Sequence, residues 1–209
     1  MSEDNKEAPS TYGLMQLVPG SALWQALMSR QEDQRDGLAA VVEFHHVTRQ
    51  LLADVAQCLG QSFSRPESRR NFVRALAALF EGNTYCLRKI CLVKLKTTAP
   101  RALSSAELET IVSGRSKDAE TKIRHVLNGS YKLFEISAAI DAKSEEWKRV
   151  EQLLARRHRL VHPNTVADLE VTDDESRGAI LTAAWLREQF EVVLGFITSG
   201  TPDEVAARF

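Results

Sequence analysis

Apolar residues recur every three or four positions along most of the chain beyond residue 35, the period of an α-helix that buries one face. From about Asp36 to Leu59 the stripe is Val41, Phe44, Thr48, Leu51, Leu52, Val55 and Leu59, and Gly60 ends it. From about Glu67 to Lys96 the chain is apolar on most sides, through Phe72, Leu76, Leu79, Phe80, Leu87, Ile90, Cys91 and Leu95, which predicts the central helix of a bundle. Asn83 falls in line with these residues, and a buried amide needs a hydrogen-bond partner. Thr97 to Leu103 reads as a loop. Ser104-Ser105-Ala106-Glu107 then reads as a capping box that opens a short helix to Val112. Ser113-Gly114-Arg115-Ser116 breaks that helix. A third long one is expected from about Lys117 to Ala139, with Ile123, Val126, Leu127, Leu133 and Phe134 inward.

A fourth long helix opens near Ser144 and buries the stripe Trp147, Val150, Leu154 and Val161. Arg157 falls in the middle of that stripe, while Arg156 and Arg159 point away. Pro163 to Asp174 reads as a polar loop with a short extended piece at Val166 to Val171. Thr172-Asp173-Asp174-Glu175 caps a last long helix with two stripes. One is Ala179, Ala183, Leu186, Phe190, Val193 and Ile197. The other is Leu181, Trp185, Val192 and Phe196, which needs cover from the amino-terminal element or from a second copy of the chain. Residues 1 to 10 read as disordered. Tyr12 to Arg30 reads as a short element interrupted at Pro19-Gly20. The chain thus divides into an amino-terminal extension (1–34), an all-α domain (35–199) and a tail (200–209). The domain is a bundle of four to five long helices with short accessory helices.

The 209 residues, 44% of them hydrophobic, suit one domain with a substantial core. A net charge of -1 excludes a globally basic nucleic-acid binder. Locally the balance differs, because Lys148, Arg149, Arg156, Arg157 and Arg159 face the single acid Glu151, and a phosphate would be drawn there. Cys58, Cys86 and Cys91 form no C-x-x-C pair, which argues for a reducing compartment and against a zinc site. Glu43-Phe44-His45-His46 holds one Glu-x-x-His, half of a di-iron signature, with no second copy and with Glu43 and His46 off the apolar stripe; a solvated face is expected and no metal. No run is long enough to span a membrane, and Met1 to Glu7 is too polar and acidic for a signal peptide, so the expected location is cytoplasmic.

The stretch with chemistry is Arg156-Arg157-His158-Arg159-Leu160-Val161-His162-Pro163-Asn164. A cation in an apolar stripe breaks the pattern, and natural sequences do so mainly at sites. The residue before a proline is pushed out of the helical region, so His162 is expected to leave the helix where its ring can swing back beside Arg157. Arg157 through His162, with the Pro-Asn that follows, resembles the R-x4-6-H ribonuclease motif of HEPN domains. The long apolar helix around Phe72 to Glu81 fits the second helix of that fold, and the resemblance spans roughly residues 35 to 199.

The resemblance implies an up-and-down helical bundle and a metal-independent, homodimeric endoribonuclease, a toxin or an antiviral defence effector, needing no cofactor. Histidine suits proton transfer because its ordinary pKa of about 6.5 lets it hold or release a proton near neutrality. Arginine suits the phosphate, with a permanently charged planar fork. The roles implied are His162 as general acid/base, Arg157 on the scissile phosphate and His158 orienting the pair or the substrate. Arg149, Arg156 and Arg159, with Asn164, would guide RNA, or form an ordinary solvated face. Glu81 and Asn83 are either supports for the Arg-His pocket or purely structural hydrogen-bonders. An antitoxin or defence-system partner is implied too, although Asn164 stands where partnered members usually carry tyrosine. The alternative is a HEPN-like helical module that binds RNA or a protein partner without cutting.

Overall fold

The computed structural model describes residues 32–209 except Ser62. The expectations for residues 1 to 31 lie outside the described residues. Among the latter the chain is an all-α helical bundle without strands, in the order α1 (Glu32–Leu59), α2 (Pro66–Thr97), α3 (Ser105–Ser113), α4 (Ala119–Leu133), α5 (Glu145–Val161), a 3-10 turn (Val166–Leu169), α6 (Asp173–Thr198) and α7 (Pro202–Ala206).

Helix α2 is the axis of the bundle and packs against α1, α3, α4, α5 and α6. It opens with proline at its first turn, where the missing N–H costs nothing. Its apolar sides are sealed at Phe72, Leu76, Leu87, Ile90 and Cys91. Asn83 is buried among them and its Oδ1 accepts a hydrogen bond from Thr48 Oγ1 of α1 at 2.7 Å. Helix α1 buries Val41, Phe44 and Val55, with the Phe44 ring 6.2 Å from that of Phe190 in α6. Its stripe lies open at the carboxyl end, where Leu52 and Leu59 are exposed.

Helix α3 has the expected capping box, Ser104 with Glu107, and stops at Gly114 in the left-handed region (φ 69°). Helix α4 ends at Leu133, six residues short of the expected Ala139. Glu135 takes φ 56°, which a continuing helix cannot accommodate, and the Asn128 side chain accepts the Ile140 N–H at 2.7 Å, tying the non-helical segment back to α4. The expected extended piece after the motif is instead the 3-10 turn, because Asp168 accepts the Thr165 and Asn164 N–H groups, both at 2.9 Å, and coils the chain. Residues 200–209 are not a free tail. Val205 and Ala206 pack on Leu38, the Phe209 ring sits directly over Gly37, and Thr97 Oγ1 donates to the Phe209 carbonyl at 2.6 Å.

Helix α6 buries the first of its stripes as expected, with Leu186, Val193 and Ile197 sealed. In the second, Trp185 is half-buried edge-on to Trp147 at 6.5 Å, while Leu181, Val192 and Phe196 are exposed.

The fold also sets a response to acid. His125 Nδ1 lies 2.9 Å from Thr110 Oγ1, whose own hydrogen goes to the Ala106 carbonyl, so Nδ1 is the donor. Burial first, then the charge of Arg124, lowers the His125 pKa, with Glu107 and Asp118 pulling the other way. Burial, then His46, lowers that of His45. A histidine pKa depressed by folding leaves stability intact above the unfolded value of about 6.5 and erodes it as pH falls below, because the unfolded chain takes the proton more readily. The melting temperature is therefore expected to drop between pH 7 and 5.5, and to drop less in His125→Gln. Equal drops in the two proteins would rule out His125 as a contributor.

Candidate functional site at the end of helix α5

Helix α5 starts at Ser144, whose Oγ accepts the Trp147 N–H at 3.1 Å, and buries Trp147, Val150, Leu153, Leu154 and Leu160. Leu160, not Val161, completes the buried face. It lies two turns beyond Leu153 on the same side, and Val161 is 44% exposed. His162 leaves the helix at φ -125°, ψ 66°, while its N–H still bonds the His158 carbonyl at 3.0 Å. The His158 and His162 rings then lie 5.1 Å apart, tilted by 52°, and both residues are exposed.

Arg157 turns toward α2, where its Nη2 donates to Glu81 Oε2 at 3.1 Å, each side chain about one-third exposed (34% and 35%). Among the described residues no hydrogen bond joins Arg157 to His162. Asn83 stands two residues beyond Glu81, about 200° around the helix, and serves the α1 side instead.

Arg156 does not point into solvent as expected. Its side chain is only 14% exposed and ion-pairs with Glu175 in the first turn of α6, which lies against this side of α5. Arg149, Arg156 and Arg159 together line a groove of about 370 Å³ between α5 and α6, floored by Val73, Leu153 and Ala179 and edged by Asp174 and Glu175. The groove lies on a different side of α5 from Arg157, since successive helical residues diverge by about 100°. Asn164 contributes its backbone N–H to Asp168.

Sequence reasoning missed three arginines of α2. Arg74 Nη2 donates to the Leu160 carbonyl at 2.7 Å, Arg70 Nη1 to the Leu169 carbonyl at 3.3 Å, and Arg69 Nη1 meets Asp173 Oδ1 at 2.5 Å. They pin, in turn, the last turn of α5, the end of the 3-10 turn and the start of α6, on either side of the segment after His162. The available signal was a cluster of charge at the amino end of an otherwise apolar helix.

Burial draws the Glu175 carboxyl upward, but the Thr172 N–H and Arg156 outweigh it and hold the pKa below the usual carboxylate range. Glu175 also closes the capping box of α6 with Thr172. Glutamine can fill that box, so Glu175→Gln isolates the ion pair. With Arg156 largely buried, the cost should fall between the ~0–1 kcal/mol of an exposed pair and the ~3–5 kcal/mol of a buried one, about 2 kcal/mol. This contribution is present above pH ~4.3 and lost as the carboxyl protonates below it. Urea unfolding at pH 7 measures it, and a midpoint equal to wild type would mean that the pair is not formed in solution.

Glu43 is bonded to Lys89 Nζ at 2.7 and 2.9 Å. Among the described residues no cluster of three or more His, Cys, Asp or Glu is placed to hold a metal, and no helix is long and apolar enough to cross a membrane. No known protein family, curated protein or solved structure matches the chain.

Proposed function

We propose that the chain is a metal-independent endoribonuclease of the HEPN type, acting in the cytoplasm as a toxin or antiviral defence effector alongside a partner protein. One observation carries the reading: near one helix end Arg157, about one-third exposed and paired with Glu81 of α2, is followed in the chain by His158 and His162, two exposed histidines whose rings lie 5.1 Å apart. In such a site His162 takes the proton of the ribose 2'-hydroxyl, the oxygen attacks phosphorus, and the bond to the 5'-oxygen breaks as that oxygen gains a proton. Arg157 compensates charge on the phosphoryl oxygens. One His162 cannot readily be base and acid in a single turnover. A two-fold homodimer would supply a second.

A second reading, a helical module that binds RNA or a protein without cutting it, is favoured by the ion pair of Arg157 with Glu81 and the lack of a bond to His162. Incubating end-labelled RNA in EDTA with wild type, His162→Ala and Arg157→Ala separates the two. The nuclease reading requires 2',3'-cyclic phosphate ends from wild type alone. Absence of cleavage by wild type leaves the binding module as the better account.

A further inference from the structure

A second cleft, of about 430 Å³, opens between α2 and the turn joining α3 to α4. It falls in the range of about 300–1,000 Å³ that small ligands occupy. Tyr85, 50% exposed, lines it with Thr84, Ser116, Arg115 and Lys122. Its position is tied to the motif by Glu81, which lines the cleft and also receives Arg157.

The walls are held by the fold. Lys89 Nζ, itself anchored by Glu43, sits 4.9 Å from the Tyr85 ring centroid. Arg88 donates to the Val112 carbonyl at 2.8 Å and lies against Gly114, whose left-handed backbone turns Arg115 and Ser116 into the cleft. The two acids present are already engaged. Glu81 faces Arg157, and Asp118 accepts the Thr121 N–H at 2.6 Å as the cap of α4. Arg115 and Lys122 make no ion pair among the described residues. The cations at the cleft, Arg115, Lys122 and the Arg157 that pairs with Glu81, outnumber its two acids by one, and they stand beside an exposed aromatic ring, the combination that binds single-stranded nucleic acid by stacking and phosphate contact.

We infer that this cleft is a nucleotide subsite for single-stranded RNA, in which Tyr85 stacks a base and Arg115 and Lys122 hold the adjoining phosphate, next to the bond addressed by Arg157 and His162. The assignment rests on the RNA-directed reading above and adds where the strand lies.

The test uses the full chain carrying His162→Ala and a 5'-fluorescein-labelled oligoadenylate RNA decamer, followed by fluorescence anisotropy. Tyr85→Ala should weaken binding about tenfold, as loss of one stacked base does, and Tyr85→Phe should restore it to within about twofold. Lys122→Gln should reduce the slope of log Kd against log salt by about 0.7, one phosphate contact on a single strand. Binding by Tyr85→Ala and Lys122→Gln indistinguishable from the parent, or no binding by the parent, would overturn the subsite. Weakened binding by Tyr85→Ala without cleavage by wild type would sink the nuclease reading and keep the subsite. Cleavage by Tyr85→Ala with an unchanged KM would do the reverse.

Discussion

His162→Ala is expected to lower metal-free RNA cleavage by about 10²–10⁴-fold, the usual contribution of one positioned acid or base, with no change in the urea midpoint. The residue can be removed without structural cost because its ring is exposed and its place is fixed by other groups. Its N–H is held by His158, Leu160 before it is held by Arg74, and Pro163 after it restricts its backbone. Arg157→Ala should cost about 10²–10³-fold, comparable to losing one preorganised partner of transition-state charge. It also strips Glu81 of its partner, so RNA affinity should fall with the rate. Arg157→Lys restores charge but not the planar fork, and recovery should be partial. If His158→Ala loses as much as His162→Ala, proton transfer belongs to the pair. Cleavage by His162→Ala at the wild-type rate would remove His162 from the chemistry altogether.

The features legible in the sequence are those that depend on near neighbours. Capping boxes at Ser104 and Thr172, the apolar continuity of α2, the partner required by Asn83 and the departure of His162 from its helix all follow from spacing of a few residues. The features that were not legible arise from pairs far apart along the chain. The inward turn of Arg156 depends on Glu175 being delivered by α6, and periodicity places an arginine beside that stripe without saying what faces it. The roles of Arg69, Arg70 and Arg74 depend on carbonyls and a carboxylate 86 to 104 positions away. Glu135 breaks α4 with a conformation that its residue type disfavours, so propensity argued for continuation. Residues 200–209 are short and mixed in composition, but Gly37 opens a seat for Phe209 at the other end of the domain.

The largest loss of stability is expected from Trp147→Ala. Trp147 is 1% exposed, meets Trp185 edge-on at 6.5 Å, and has the Arg124 guanidinium 5.9 Å from its ring. Truncating a buried Trp to alanine costs about 3–5 kcal/mol, a fifth or more of the ~5–15 kcal/mol that holds a typical domain together. The gap is poorly placed to close. Trp147 sits one turn inside the start of α5, whose position there is fixed by the Ser144 cap, so the backbone cannot move in without breaking it. At about 2–4 °C per kcal/mol for a domain of this size, the melting temperature should fall by about 6–20 °C. Trp147→Phe keeps a ring against Trp185 and should lose less than half as much. Unfolding should remain a single transition, because Trp147 belongs to the same core cluster as Leu87, Leu127 and Leu186. The motif, more than two turns further along α5, should keep its chemistry below the lowered melting point. A loss of cleavage at temperatures where Trp147→Ala is still folded would mean that the core under α5 sets the geometry of Arg157 and His162 as well as the stability of the bundle.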